Sequence, residues 1–126
     1  MLTPLPSLAG SDIQFSCKQV QGKNGLIPIT YIHSKSRTNM GRIPWDEILG
    51  GQNPLQRCQQ ATERLQEAVD KNQLNIITTG TINGQKVICT TDKYNGACQI
   101  ILFSLEPNEN EREILEALKD RLQGRG

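Results

Sequence analysis

Histidine and aromatic side chains are scarce in this sequence, which has one His, one Trp, two Tyr and two Phe in 126 residues. Nucleophilic catalysis needs Ser, Cys or Thr beside a base. Here His33 stands alone at the polar end of an apolar stretch, where a solvated imidazole is the ordinary case. Long apolar runs are also missing, and no stretch reaches the roughly eighteen residues that mark a membrane-spanning helix. There is no phosphate loop, because Gly50-Gly51 is followed by Gln52-Asn53-Pro54 with no Lys-Ser or Lys-Thr. Neither sign of charge is in excess. Fourteen Lys plus Arg face thirteen Asp plus Glu for a net +1, so composition gives no sign of a nucleic-acid binder. The adjacent acids Asp46 and Glu47 point apart. Glu63 and Glu67, with Arg64 and Lys71, read as a solvated helix face. Nothing here demands an enzyme, and no cofactor or metal is expected.

What is present suits one small domain. With 36% hydrophobic residues the core is lean, yet the chain is too apolar and too evenly charged to be disordered. Four cysteines, Cys17, Cys58, Cys89 and Cys98, fit two disulfides and an oxidising compartment. Free thiols come next, and a four-thiolate zinc site last, because the closest pair is wider than the usual spacing of roughly two to four residues. Of the three pairings, local geometry favours one. Ile13, Phe15 and Cys17 alternate with polar residues on one strand face. Cys58 falls on the apolar stripe of a helix with Leu55, Thr62, Leu65 and Val69. Cys89 and Cys98 flank the loop Asp92 to Asn95, closed by Gly96, which would set them opposite each other in an antiparallel pair. The expected bonds are Cys17–Cys58 and Cys89–Cys98. An exported protein should carry a signal segment, and Met1-Leu2-Thr3-Pro4-Leu5-Pro6 has no basic start or long apolar core. The expectation is that a leader has been removed ahead of this chain.

Residues 1–11 read as a flexible arm, 12–123 as a single domain and 124–126 as a tail. Strands are predicted over 13–20, 26–33 and, briefly, 41–45, with a turn over 21–25. Asn53-Pro54 announces a helix to about residue 71 or 72, with Asn53 as its N-cap. Strands at about 74–82 and 85–91 are joined by Asn83-Gly84, a type I′ hairpin signal. A further strand covers about 97–105. In the last helix Asn108 and Glu111 form a capping box ahead of the stripe Ile114, Leu115, Leu118 and Leu122. The order β-β-(β)-α-β-β-β-α is that of an α+β domain with an antiparallel sheet and two main helices.

Charge distribution says more than net charge. Between Ile13 and Pro44 lie Lys18, Lys23, Lys35, Arg37 and Arg42, and no acidic residue. Such a segment suits an anionic membrane surface or an acidic partner. Five charges over so long a stretch would equally well solubilise a loop. Trp45 fits the core better than a binding anchor, whereas Tyr94, at a hairpin tip, is the better exposed contact.

Phe15-Ser16-Cys17, Arg42-Ile43-Pro44-Trp45 and Gln56-Arg57-Cys58 stand in an order that resembles the cyanobacterial circadian-oscillating-protein family. So do Leu74 to Gly80, Asn83-Gly84-Gln85, Val87-Ile88-Cys89, Gly96-Ala97-Cys98 and Leu102-Phe103-Ser104-Leu105. The resemblance covers roughly residues 13–122. It implies an exported protein, associated with a membrane without spanning it, in the thylakoid lumen or periplasm. It brings the four-cysteine framework and no catalytic residue. The expected function is therefore a non-catalytic module that binds a membrane surface or a membrane-bound protein complex. Two alternatives stand beside it: a regulator or inhibitor presenting the Asp92–Asn95 loop to an enzyme, and a thiol–disulfide redox protein using Cys89–Cys98. The redox reading lacks C-x-x-C spacing.

Overall fold

Alternating apolar residues and two short turns generate the first half of the molecule. The computed structural model describes residues 12–34, 40–49 and 53–123. The arm expected over 1–11, the tail over 124–126, and Lys35 and Arg37 lie outside them. β1 (Gln14–Gly22), β2 (Gly25–His33) and β3 (Gly41–Pro44) form an antiparallel sheet in that order. β1 turns into β2 through Lys23 and Asn24, with Gly22 opposite Gly25. Gly25 takes φ +124°, open to glycine and strained for other residues.

The predicted strand over 41–45 stops one residue early. Trp45 instead opens a short helix, α1 (Trp45–Leu49), that the sequence reading did not anticipate. α2 (Pro54–Asp70) follows, with Pro54 at its start as expected. Asn53 is not a side-chain cap: it adopts a left-handed conformation (φ 42°) and makes no side-chain cap bond. Its carbonyl takes the first helical hydrogen bond, from the Arg57 N–H. Asn tolerates that conformation better than most residues, which accounts for the Asn-Pro signal by another route. At the far end Asn72 (φ 57°) reverses the chain while the Gln73 N–H bonds to the Ala68 carbonyl at 2.6 Å, a Schellman closure.

β4 (Ile76–Ile82), β5 (Gln85–Thr91) and β6 (Ile100–Ser104) form a second antiparallel sheet. The antiparallel strands thus divide into two three-stranded sheets. Asn83 and Gly84 carry positive φ in the two-residue turn, as the hairpin signal required. The β5–β6 connection is longer than the four-residue loop expected, so β6 begins only at Ile100 and Cys89 stands opposite Ile101 and not Cys98; a bulge at Ile88/Cys89 shifts the register by one further residue. α3 (Glu111–Leu122) is capped by Asn110, whose side chain accepts from the Glu113 N–H at 3.0 Å. The cap therefore lies two residues after the expected Asn108. Acidic residues at the start of α3 and basic ones at its end complement the helix dipole.

One core joins the layers. α2 packs on β1, β2 and β6, while α3 packs on β3, β4 and β5. Ile13, just ahead of β1, and Phe15, Ile32 and Ile43 of the first sheet meet Ala61, Leu65 and Val69 of α2. Ile77, Ile88 and Phe103 of the second sheet meet Ile114 and Leu118 of α3 in the same cluster. Trp45, fully buried, bridges the halves edge-on to Phe103 with ring centroids 5.3 Å apart.

Both disulfides form as predicted: Cys17–Cys58 and Cys89–Cys98, with Cα–Cα distances of 5.8 and 5.6 Å. The first ties β1 to α2. The second ties β5 to the β5–β6 connection, since Cys98 precedes β6 and is not paired in the ladder. Such bonds persist where the environment is not reducing. No described helix is long and apolar enough to cross a membrane.

Candidate binding surface

The strand register decides which of the basic residues share a face. In β1, Phe15 and Cys17 turn to the core, so Ser16 and Lys18 turn away from it. Ser16 stands opposite Tyr31, and Tyr31 opposite Arg42, which puts Lys18 and Arg42 on the outer face of the first sheet with half-buried Tyr31 between their strands. Both cations are exposed. Lys23 is exposed in the β1–β2 turn, near Leu26, a large apolar side chain left 59% exposed. Among the described residues none of Lys18, Lys23 and Arg42 enters an ion pair. No Asp or Glu occurs from Ile13 to Pro44 to supply one.

The helices treat their charges differently. Glu67 pairs with both Arg64 and Lys71, and the hydrogen bond from Lys71 holds its carboxyl below the usual value. Glu63, expected to share in that cluster, forms no ion pair among the described residues. Arg121 reaches Glu47 at 3.0 Å.

The strongest ion pair was not foreseen from the sequence. Arg57 of α2 holds Glu109, ahead of α3, through two hydrogen bonds of 2.7 Å, both side chains being less than a tenth exposed. Burial pushes the Glu109 carboxyl up. Arg57, together with the Glu106 N–H at 2.6 Å, outweighs that and holds it below its ordinary value. Arg57 also lies over the Phe103 ring at 5.9 Å. A hint was present, since Arg57 stands beside Cys58 on the stripe that includes Ala61 and Leu65, where a charge requires a partner.

Thr30 collects a second buried polar group. Trp45 Nε1 donates to its Oγ1 at 2.8 Å, the Thr62 hydroxyl lies 2.7 Å away, and Cys58 Sγ lies at 3.5 Å. Thr30 is opposite Cys17 in the ladder, so this network locks the first sheet to α1 and α2 beside the disulfide. These groups satisfy one another and leave no nucleophile paired with a base. His33 is half-buried at the end of β2.

Tyr94 is not part of the basic face. It lies in the β5–β6 connection of the second sheet and is 64% exposed, as its position near a loop tip implied. Together with Asn95 it borders a groove of about 750 Å³ between β4 and α3. Among the described residues no group of His, Cys, Asp or Glu is placed to hold a metal ion.

No curated protein and no solved structure gives a significant match to the chain. The family model for the circadian oscillating protein COP23 matches residues 14–126, from the first residue of β1 onward. That span takes in both sheets and both disulfides, and the chain belongs to the COP23 circadian oscillating protein family.

Proposed function

We propose that this disulfide-stabilised domain is a non-catalytic, exported module that docks on an anionic membrane surface through its first sheet. The observation that carries the reading is the exposure of Lys18, Lys23 and Arg42 without ion partners among the described residues, when Arg64, Lys71 and Arg121 of the helices each hold a carboxylate. A basic residue near an anionic lipid surface contributes about 1 kcal/mol, falling off within a Debye length. Three such residues give a weak, reversible and salt-sensitive attachment.

The test is co-sedimentation of the oxidised protein with neutral vesicles, anionic vesicles and stripped native membranes, at low and high salt. Binding to anionic vesicles that high salt abolishes, and that Lys18→Glu with Arg42→Glu removes, is the expected result. Binding to native membranes alone would replace the lipid with a membrane-bound protein complex as partner. Binding to none of them would end the peripheral-membrane reading.

A second reading, a loop-presenting regulator of an enzyme, is favoured by one observation. The exposed Tyr94 sits on a connection tethered at both ends by Cys89–Cys98. Such a loop loses little freedom on binding.

A further inference from the structure

Sheet edges expose unpaired backbone groups, and this fold treats two of its edges differently. The start of the outer edge of β1 is satisfied by a side chain. Gln66 of α2 accepts from the Phe15 N–H at 2.8 Å and donates to the Ile13 carbonyl at 3.1 Å. β4, the outer strand of the second sheet, has no equivalent cover. Among the described residues no side chain or further backbone segment bonds to its free edge. The register identifies the groups that stand there. The pair flanking a two-residue turn, here Ile82 and Gln85, is hydrogen-bonded, and bonded pairs then alternate along the ladder. Thr78 and Gly80 therefore bond to β5, while Thr79 and Thr81 turn their N–H and C=O groups outward.

The groove beside this edge is walled by one face of α3: Glu111, Arg112, Leu115, Glu116 and Lys119. From Glu111 to Lys119 the helix rises about 12 Å, the length of roughly four residues of extended chain. The geometry points to an extended peptide of another protein as the occupant, added to β4 as a fourth strand with alternate side chains lying against α3. The wall carries two carboxylates and two cations, so a polyanion would meet Glu111 and Glu116, whereas a peptide bearing both signs of charge is matched. Leu115 offers contact to an apolar side chain between them. Tyr94 supplies a stiff amphipathic ring on a loop held by Cys98, a contact that costs little entropy. A second copy fits less well, because pairing over about four residues falls far below the roughly 1,200 Å² that stable complexes bury. This site is on the other sheet from the basic face and does not depend on membrane docking.

The test pans the full oxidised chain against phage-displayed random short peptides, with an unrelated disulfide-bonded domain as control. Enriched peptides are synthesised and titrated while amide hydrogen exchange is followed residue by residue. The amides of Thr79 and Thr81 should slow by roughly tenfold or more at saturation, with much smaller changes at Thr78 and Gly80. Thr81→Pro removes an outward donor and no ladder bond, and should weaken binding by roughly tenfold. Tyr94→Ala should weaken it several-fold, while Lys18→Glu with Arg42→Glu leaves it unchanged. If the proline variant loses its fold, the exchange pattern in the unaltered chain decides. Failure to enrich any peptide over the control would overturn the proposal, as would protection confined to another surface. A dimer by light scattering that itself protects Thr79 and Thr81 would also overturn it and assign the edge to a second copy.

Discussion

Gly80 lies against the sulfur of Cys98: a Cβ at position 80 would stand 2.7 Å from Cys98 Sγ and 3.6 Å from Cys89 Sγ. Glycine inside a strand ordinarily weakens it, for want of a side chain and through its extra freedom when unfolded. Here the missing side chain is the space in which the second disulfide sits, on the face of the sheet turned from the core. The bond also draws in the β5–β6 connection, so the glycine in β4, the loop bearing Tyr94 and both cysteines form one unit.

That relationship predicts the sign of a substitution. Gly80→Ala should destabilise the oxidised protein by about 1–3 kcal/mol, the usual cost of overpacking. In a Cys89→Ala, Cys98→Ala background the same change should be neutral or stabilising. Thermal melts of the four proteins form a double-mutant cycle, and a coupling near zero would show that Gly80 has another reason to be there.

The two disulfides should differ in weight. They close loops with sequence separations of 41 and 9 residues. Chain entropy therefore makes the loss of Cys17–Cys58 more costly by about 1 kcal/mol. Removing that bond also disturbs the polar group around Thr30, which widens the gap. Urea unfolding of Cys17→Ala, Cys58→Ala against Cys89→Ala, Cys98→Ala measures the difference, and equal midpoints at equal slope would refute the ranking.

Much of this architecture was legible because its signals are local. Asn83-Gly84 specifies its own turn, and strand alternation put Cys17 on the inner face with Phe15. The apolar stripe of α2 put Cys58 within reach of Cys17, so the pairing followed before any tertiary contact was known. Helix starts were less legible. Asn108 and Asn110 are chemically equivalent caps on paper, and the choice rests on where the chain arrives after β6. The length of the β5–β6 connection, which leaves Cys98 ahead of the ladder, and the bulge at Ile88/Cys89 have no single-residue signature. Arg57 and Glu109 stand 52 residues apart, and the groove requires β4, α3 and the Tyr94 loop together, so both depend on packing that no local window contains.

Trp45 is the one tryptophan and is fully buried, which makes it an internal reporter. Its emission should be blue-shifted in the native protein and move to the red on unfolding. Trp45→Phe keeps a ring against Phe103 but removes the donor to Thr30, and should cost about 1–3 kcal/mol through lost packing and the lost hydrogen bond. Adding Thr30→Val should cost less in that background than in the wild type, because Trp45 is no longer left without an acceptor. A strictly additive pair would mean that the Trp45–Thr30 bond is energetically silent.

The Arg57–Glu109 pair sets an expectation for acid stability. Glu109 is held below the usual carboxylate value of about 4.5, so its folded form binds a proton less readily than its unfolded form. The stabilisation is fully present above about pH 4.5 and is lost as pH falls through the lower folded value. Glu109→Gln should lower the melting temperature at neutral pH and flatten its fall on acidification below that point. Arg57→Ala should be worse at neutral pH, by about 3–5 kcal/mol, because it leaves a buried carboxylate without its cation. Replacing both, with Arg57→Met and Glu109→Leu, should recover most of that loss, since the apolar pair carries no desolvation cost and keeps a side chain against Phe103. Melting temperature against pH for these variants decides the matter. A Glu109→Gln curve parallel to that of the unaltered protein would mean that other carboxylates, such as Glu67 beside Lys71, govern the acid limb.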